Sequence, residues 1–148
     1  MKTLTIIAAC LLAAPASAQT LVGSWQCESS DATAKTTTKE TFAKNGRYTT
    51  EFNIDATTQG QKVALVGKIK GKYEMIGPLL NTTPGKIDLI EANVGGQNLM
   101  KSALKDQIAE SVRDTLPSAK TSQTVTELTD KKMVIGSGDT ATLCRRLK

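Results

Sequence analysis

Apolar and polar positions alternate with a period of two along most of the chain, which predicts extended strands with one buried face. From Lys62 to Ile76, Val63, Leu65, Gly67, Ile69, Gly71, Tyr73 and Met75 fall on one face, and Lys68, Lys70, Lys72 and Glu74 on the other. Leu21 to Glu28 places Leu21, Gly23, Trp25 and Cys27 together, so a first strand turns Trp25 toward the core. Ala34 to Ala43 and Arg47 to Asp55 flank Lys44-Asn45-Gly46. Asn-Gly between two strand-like runs predicts a hairpin with a type I′ turn. In the second run Tyr48, Thr50, Phe52 and Ile54 share a face. In the first, Phe42 shares its face with Glu40, Thr38 and Thr36, so that face turns polar toward the strand's start. Gly77-Pro78 and Thr83-Pro84-Gly85 read as turns, with a further strand over Lys86 to Glu91. Gly67 and Gly71, inside an apolar face, mark bends or close approach in a curved sheet.

After Gly95-Gly96 the period changes. Leu99, Met100, Ala103, Leu104, Ile108, Val112 and Leu116 recur at spacings of three and four, with Asn98 placed to cap the start and Pro117 just past the end. This predicts one amphipathic helix over 98–116. Such a helix either packs as core against an open side of the sheet or forms a lid over a cavity or a docking face for a partner. Strand signals return over 121–128, 132–136 and 140–147, with turns at Asp130 and Ser137-Gly138-Asp139. The predicted fold is mainly β: about eight strands in an antiparallel barrel or strongly curved sheet, with one inserted helix.

Composition adds a compartment. Lys2, the apolar run Leu4 to Ala14 and the small residues Ala16-Ser17-Ala18 form an export signal cleaved before Gln19. The apolar run falls short of the roughly 20 residues that span a bilayer. Ile7-Ala8-Ala9-Cys10 offers a rival reading as a lipoprotein cleavage box, opposed by the short spacing from Lys2 and by apolar sequence continuing to Ala14. Residues 1–18 are thus read as the signal and 19–148 as one domain, of a size that supports a single core. Cys27 and Cys144, the two cysteines outside the signal, are predicted to form a disulfide, which brings the first and last strands together as barrel closure requires. No CxxC spacing supports a redox or metal pair.

The chain contains no histidine, which excludes Ser-His-Asp and Cys-His catalysis and imidazole metal sites. Its carboxylates are scattered, and it carries no Gly-rich phosphate loop, Ser-x-x-Lys pair or calcium loop. No catalytic residues, metal ligands or cofactor are therefore assigned, and the protein is expected not to be an enzyme. The formal net charge of +5 is too small and too dispersed for nucleic acid. Lys68, Lys70 and Lys72, with Lys62, form a basic stripe that either is a solvated face discouraging edge-to-edge pairing or makes weak contact with an anionic envelope surface. Only five aromatic residues occur, against 19 threonines from Thr20 to Thr142. Few large rings, several glycines and inward-facing threonines leave room for a cavity, whose candidate lining is Phe42, Tyr48, Phe52, Leu65, Ile69 and Tyr73.

Leu21-Val22-Gly23-Ser24-Trp25 resembles the opening of lipocalin-like proteins, whose first strand carries Gly-x-Trp at the closed end of a ligand-binding barrel. Exported bacterial members of this calycin-type group look similar through Trp-x-Cys, here Trp25-Gln26-Cys27, and Phe-x-x-x-Gly-x-Tyr, here Phe42 to Tyr48. The resemblance implies that a basic side chain near the chain's end, Arg145 or Arg146, covers Trp25, making Gly23, Trp25, Arg145 and Arg146 the barrel-base motif. A helix before the last three strands departs from the lipocalin order, where the main helix follows the barrel. The resemblance implies an exported, monomeric barrel that binds a small apolar or amphipathic molecule. The alternative is a macromolecule-binding envelope protein, such as a hydrolase inhibitor or an accessory factor in envelope assembly.

Overall fold

The computed structural model describes residues 21–115 and 120–148. The export segment with Cys10, the cleavage position before Gln19 and the helix end at Leu116 and Pro117 lie outside the described residues. Among the described residues nine strands are present: β1 (Gly23–Ser30), β2 (Ala34–Phe42), β3 (Arg47–Thr58), β4 (Gln61–Ile76), β5 (Leu79–Val94), β6 (Gln97–Asn98), β7 (Thr121–Leu128), β8 (Lys132–Ile135) and β9 (Thr142–Arg146). Eight of them close an antiparallel ring in the order β1-β2-β3-β4-β5-β7-β8-β9, and β6 adds a two-residue rung to the end of β5. Each strand of the ring pairs with its neighbour in sequence, so the insertion between β5 and β7 leaves an up-and-down order intact. The wall is uneven: β7 pairs only Leu79–Thr82 of the 16-residue β5, while β3, β4 and β5 continue upward.

Because partners in a ladder share a face, the register stacks the inward residues in rows. From the open end down, the rows on β2, β3, β4 and β5 are Ala34, Ala56, Val63 and Val94; Thr36, Ile54, Leu65 and Ala92; Thr38, Phe52, Gly67 and Leu89; Glu40, Thr50, Ile69 and Ile87; and Phe42, Tyr48, Gly71 and Pro84. The two glycines lie directly across from Phe52 and Tyr48. A Cβ on Gly67 would strike the Phe52 ring and the Asp88 carbonyl, and one on Gly71 would strike the Tyr48 ring and the Thr83 carbonyl. The bulges of the β4–β5 ladder fall at these two positions, Val66/Gly67 and Lys70/Gly71, and bend the sheet into a barrel there. Gly71→Ala forces a backbone carbonyl to move and is expected to lower unfolding free energy by about 2 to 3 kcal/mol, read as a lower urea midpoint; an unchanged midpoint would mean that the ring does not need this seat.

Three local expectations are corrected. The Lys44-Asn45-Gly46 hairpin is not type I′, since Gly46 (φ +75°) has positive φ and Asn45 does not. Gly46 N–H donates to Ala43 O, Ala43 N–H to Arg47 O, and Asn45 Oδ1 accepts from Arg47 N–H, giving a three-residue loop with Gly46 in the left-handed position. Thr83-Pro84-Gly85 is not a turn: β5 runs through it, and Gly85 is the extra residue of a bulge just beyond the last β5–β7 pair, where proline's missing N–H is tolerated. The single helix over 98–116 is a 3-10 turn (Leu99–Lys101) followed by α1 (Lys105–Thr115). Asn98 caps the first piece as expected. Ser102 divides the two, because its hydroxyl donates to Leu99 O and accepts from Leu104 N–H in place of continuous helical bonds. No described side chain of α1 is buried; Ile108, Ala109 and Val112 are half-buried and the rest exposed, so α1 is not a core element.

The core fills the closed end. Leu21, Trp25, Phe42, Leu80 and Met133 are fully buried there, with the Cys27–Cys144 disulfide across the β1–β9 seam.

Candidate functional site

Trp25 is the floor of the barrel. Its indole N–H donates to Leu21 O at 2.8 Å, which satisfies the one polar atom of an otherwise apolar plug. Arg146, its partner in the β1–β9 ladder, lies 4.3 Å from the ring centroid and donates from Nη1 to Val22 O and from Nε to Asp130 O, each at 2.7 Å. Gly23 (φ +132°) is required beside it, since a Cβ there would collide with the Arg146 guanidinium. Arg145 takes no part: it alternates outward on β9 and is exposed, opposite Gln26 and Lys132. The motif therefore gathers Gly23, Trp25 and Arg146, and strand alternation leaves Arg145 out.

Within the barrel lies a partly open cavity of about 380 Å³. Phe42, Tyr48, Phe52, Ile54, Ile69 and Leu80 supply its apolar wall, and Thr36, Thr38, Thr50, Thr82, Thr121 and Gln123 its polar positions, with Pro84 and Glu40. Of the six residues expected to line a cavity, Phe42, Tyr48, Phe52 and Ile69 do so. Tyr73 does not; it sits under the floor, edge-on to Phe42 with centroids 5.0 Å apart, and its hydroxyl donates to Ala43 O. Leu65 faces inward in the row of Thr36 and Ile54, which line the cavity, but does not line it itself.

Glu40 is the residue that reading by composition passed over. It occupies the row between Phe42/Tyr48 below and Thr38/Phe52 above, and it is the one charged side chain among those lining the cavity. Removal from water pushes its carboxyl above the ordinary glutamate range, opposed only by a long hydrogen bond from the Thr38 hydroxyl at 3.5 Å. Tyr48 is also raised, first by burial and further by the charge on Glu40, against a hydrogen bond with Thr82; Thr82 in turn bonds Thr121 at 2.8 Å. The signal was present in the alternation, which put an acid on the same face as Phe42.

A carboxyl raised in the folded state holds its proton more tightly there than in the unfolded chain, so its stabilising contribution is complete at acid pH and is lost as pH rises through the native value. Glu40→Gln is therefore expected to match the native chain at about pH 4 and to be more stable near neutrality, by on the order of 1 kcal/mol. Urea unfolding of both proteins across pH measures the gap, and a gap that does not widen with pH would place Glu40 in full contact with water.

The lysine stripe lies on an outward face of β4 and is partly ion-paired. Lys68 is held by Glu51 at 3.0 Å, while Lys70 and Lys72 are exposed and lie across from Lys86 and Arg47. Lys86 is itself paired with Asp88 at 3.0 Å.

A scan against protein-family models finds no match, and a search of curated proteins finds no significant one. Among solved structures, the chain is similar to an uncharacterized protein from Bacteroides eggerthii at 16% identity, covering 86% of this chain and 99% of that one with a TM-score of 0.46. It is also similar to a lipocalin-like protein from Bacteroides uniformis at 14% identity, with the same coverage and a TM-score of 0.37. The fold itself stands on the chain's own closed ladder of strands.

Proposed function

We propose that this chain is an exported, non-enzymatic, lipocalin-like protein that binds a small apolar or amphipathic molecule inside its barrel. One observation carries the reading: the cavity of about 380 Å³ is walled by aromatic and aliphatic side chains and dotted with threonine hydroxyls. Ligand sites of this kind are concave, mostly apolar and supplied with a few placed polar groups. The buried disulfide between Cys27 and Cys144 agrees with an oxidising compartment and supports export.

N-phenyl-1-naphthylamine, an uncharged apolar fluorophore, tests the proposal. The native chain is expected to raise its emission saturably at one site, and Thr38→Trp, which places an indole in the lumen, is expected to weaken that uptake at least tenfold. No uptake by the native chain, or full uptake by the filled barrel, would overturn it.

A further inference from the structure

The lumen's chemistry is asymmetric. Glu40 brings a carboxylate into it, and among the described residues no lysine or arginine lines the cavity to pair with that charge. Among the described residues the immediate ladder neighbours of Glu40 are neutral: Trp25 across β1, Thr50 across β3, Tyr48 one row below, and Thr38 and Phe52 one row above; the nearest cation in the row is Arg146, one strand beyond Trp25, where it stacks on the indole and donates to Val22 O and Asp130 O. Glu40 is half-buried, so its carboxylate loses part of its water without a counter-charge beside it, and a fatty-acid headgroup there would add like-charge repulsion. A cation in the same place would relieve the cost, between the rows that carry the aromatic residues Phe52 and Tyr48. Glu40 also lies deep, level with Trp25 and one row above Phe42 and Tyr48, while the rows nearer the mouth carry Ile54, Leu65, Ala56 and Val63. The geometry therefore specifies a headgroup-down ligand whose apolar body points to the opening.

We propose that the lumen selects apolar molecules bearing a protonated amine, the ammonium pairing with Glu40 near the floor and the apolar body lying against Phe52, Ile69 and Ile54. This rests on the reading of the barrel as a ligand-binding lumen and adds the class of ligand.

Calorimetric titration of the full chain with 4-phenylbutylamine, 4-phenylbutanol and 4-phenylbutyrate compares one apolar body with three headgroups. The native chain is expected to bind the amine at least tenfold more tightly than the alcohol, and the carboxylate most weakly. Glu40→Gln is expected to bind amine and alcohol alike. Thr50→Lys, which supplies an internal ammonium across the ladder from Glu40, is expected to lose the amine preference as well, and it serves as the test if the glutamine variant fails to fold. Equal binding of amine and alcohol by the native chain overturns this inference and leaves the lumen reading standing, and so does an amine preference that survives both substitutions. Absence of binding by all three compounds together with N-phenyl-1-naphthylamine overturns both.

Discussion

Replacing Cys27 and Cys144 together by alanine is expected to lower the unfolding free energy by about 4 to 5 kcal/mol, because the bridge closes a loop of sequence separation 117 and a loop of that length restricts the unfolded chain strongly. For a domain of this size the melting temperature should fall by roughly 15 °C. The position of the bridge enlarges the effect. The β1–β9 seam is only four residue pairs long, Trp25–Arg146 to Glu28–Leu143, and the disulfide is one of them, so it pins one of the short ladders that close the ring. Both cysteines are buried, at 1% and 0% exposure, so a reductant should act on the native chain only as fast as the chain opens. Calorimetry of the double variant measures the loss; a change in melting temperature below about 3 °C would mean that the seam holds without the bridge.

Trp25→Ala is expected to cost about 4 kcal/mol, the usual range for removing a fully buried large ring from a core. It removes the plug, strips the indole donor from Leu21 O and takes away the surface on which Arg146 rests. Trp25→Phe separates these effects: it restores most of the apolar burial and leaves the Leu21 carbonyl without its donor, for a loss of about 1 to 2 kcal/mol. Trp25 is the only tryptophan, so the variants must be followed by circular dichroism instead of intrinsic fluorescence. Equal losses for both variants would show that the hydrogen bond, not the filling of the floor, is what matters.

Most of the barrel was legible in a pattern of period two. Strands β1 to β4 and β7 to β9 lie where alternation placed them, within a few residues at their ends, and the inward faces are those that the apolar residues marked. Alternation is local physics, since each residue's side depends only on its neighbour's, and it survives without knowledge of what lies opposite. The errors came where long-range pairing overrides a local signal. Pro84 and Gly85 are turn formers in isolation, yet the β4 partner carries the chain straight through them as a bulge. The 98–116 periodicity is genuine, yet Ser102 breaks the helix and α1 gains no core contact. The candidate site was half legible for the same reason. Phe42, Tyr48, Phe52 and Ile69 follow from facing inward, but whether an inward side chain meets a void or a neighbour depends on the opposite wall, which is why Tyr73 fell under the floor and Leu65 does not line the cavity.

By itself the sequence determined that the chain is β-rich, that Cys27 and Cys144 bring its ends together, that Trp25 faces the core and that histidine-based chemistry is absent. Only the tertiary structure decided that the ring closes through eight strands, that Arg146 and not Arg145 covers Trp25, and that Glu40 is enclosed in the lumen away from any basic lining residue. The physical reason is one of range. Facing is set by adjacent residues, whereas enclosure, cavity volume and the environment of a charge are set by residues tens of positions apart that meet only when the barrel closes.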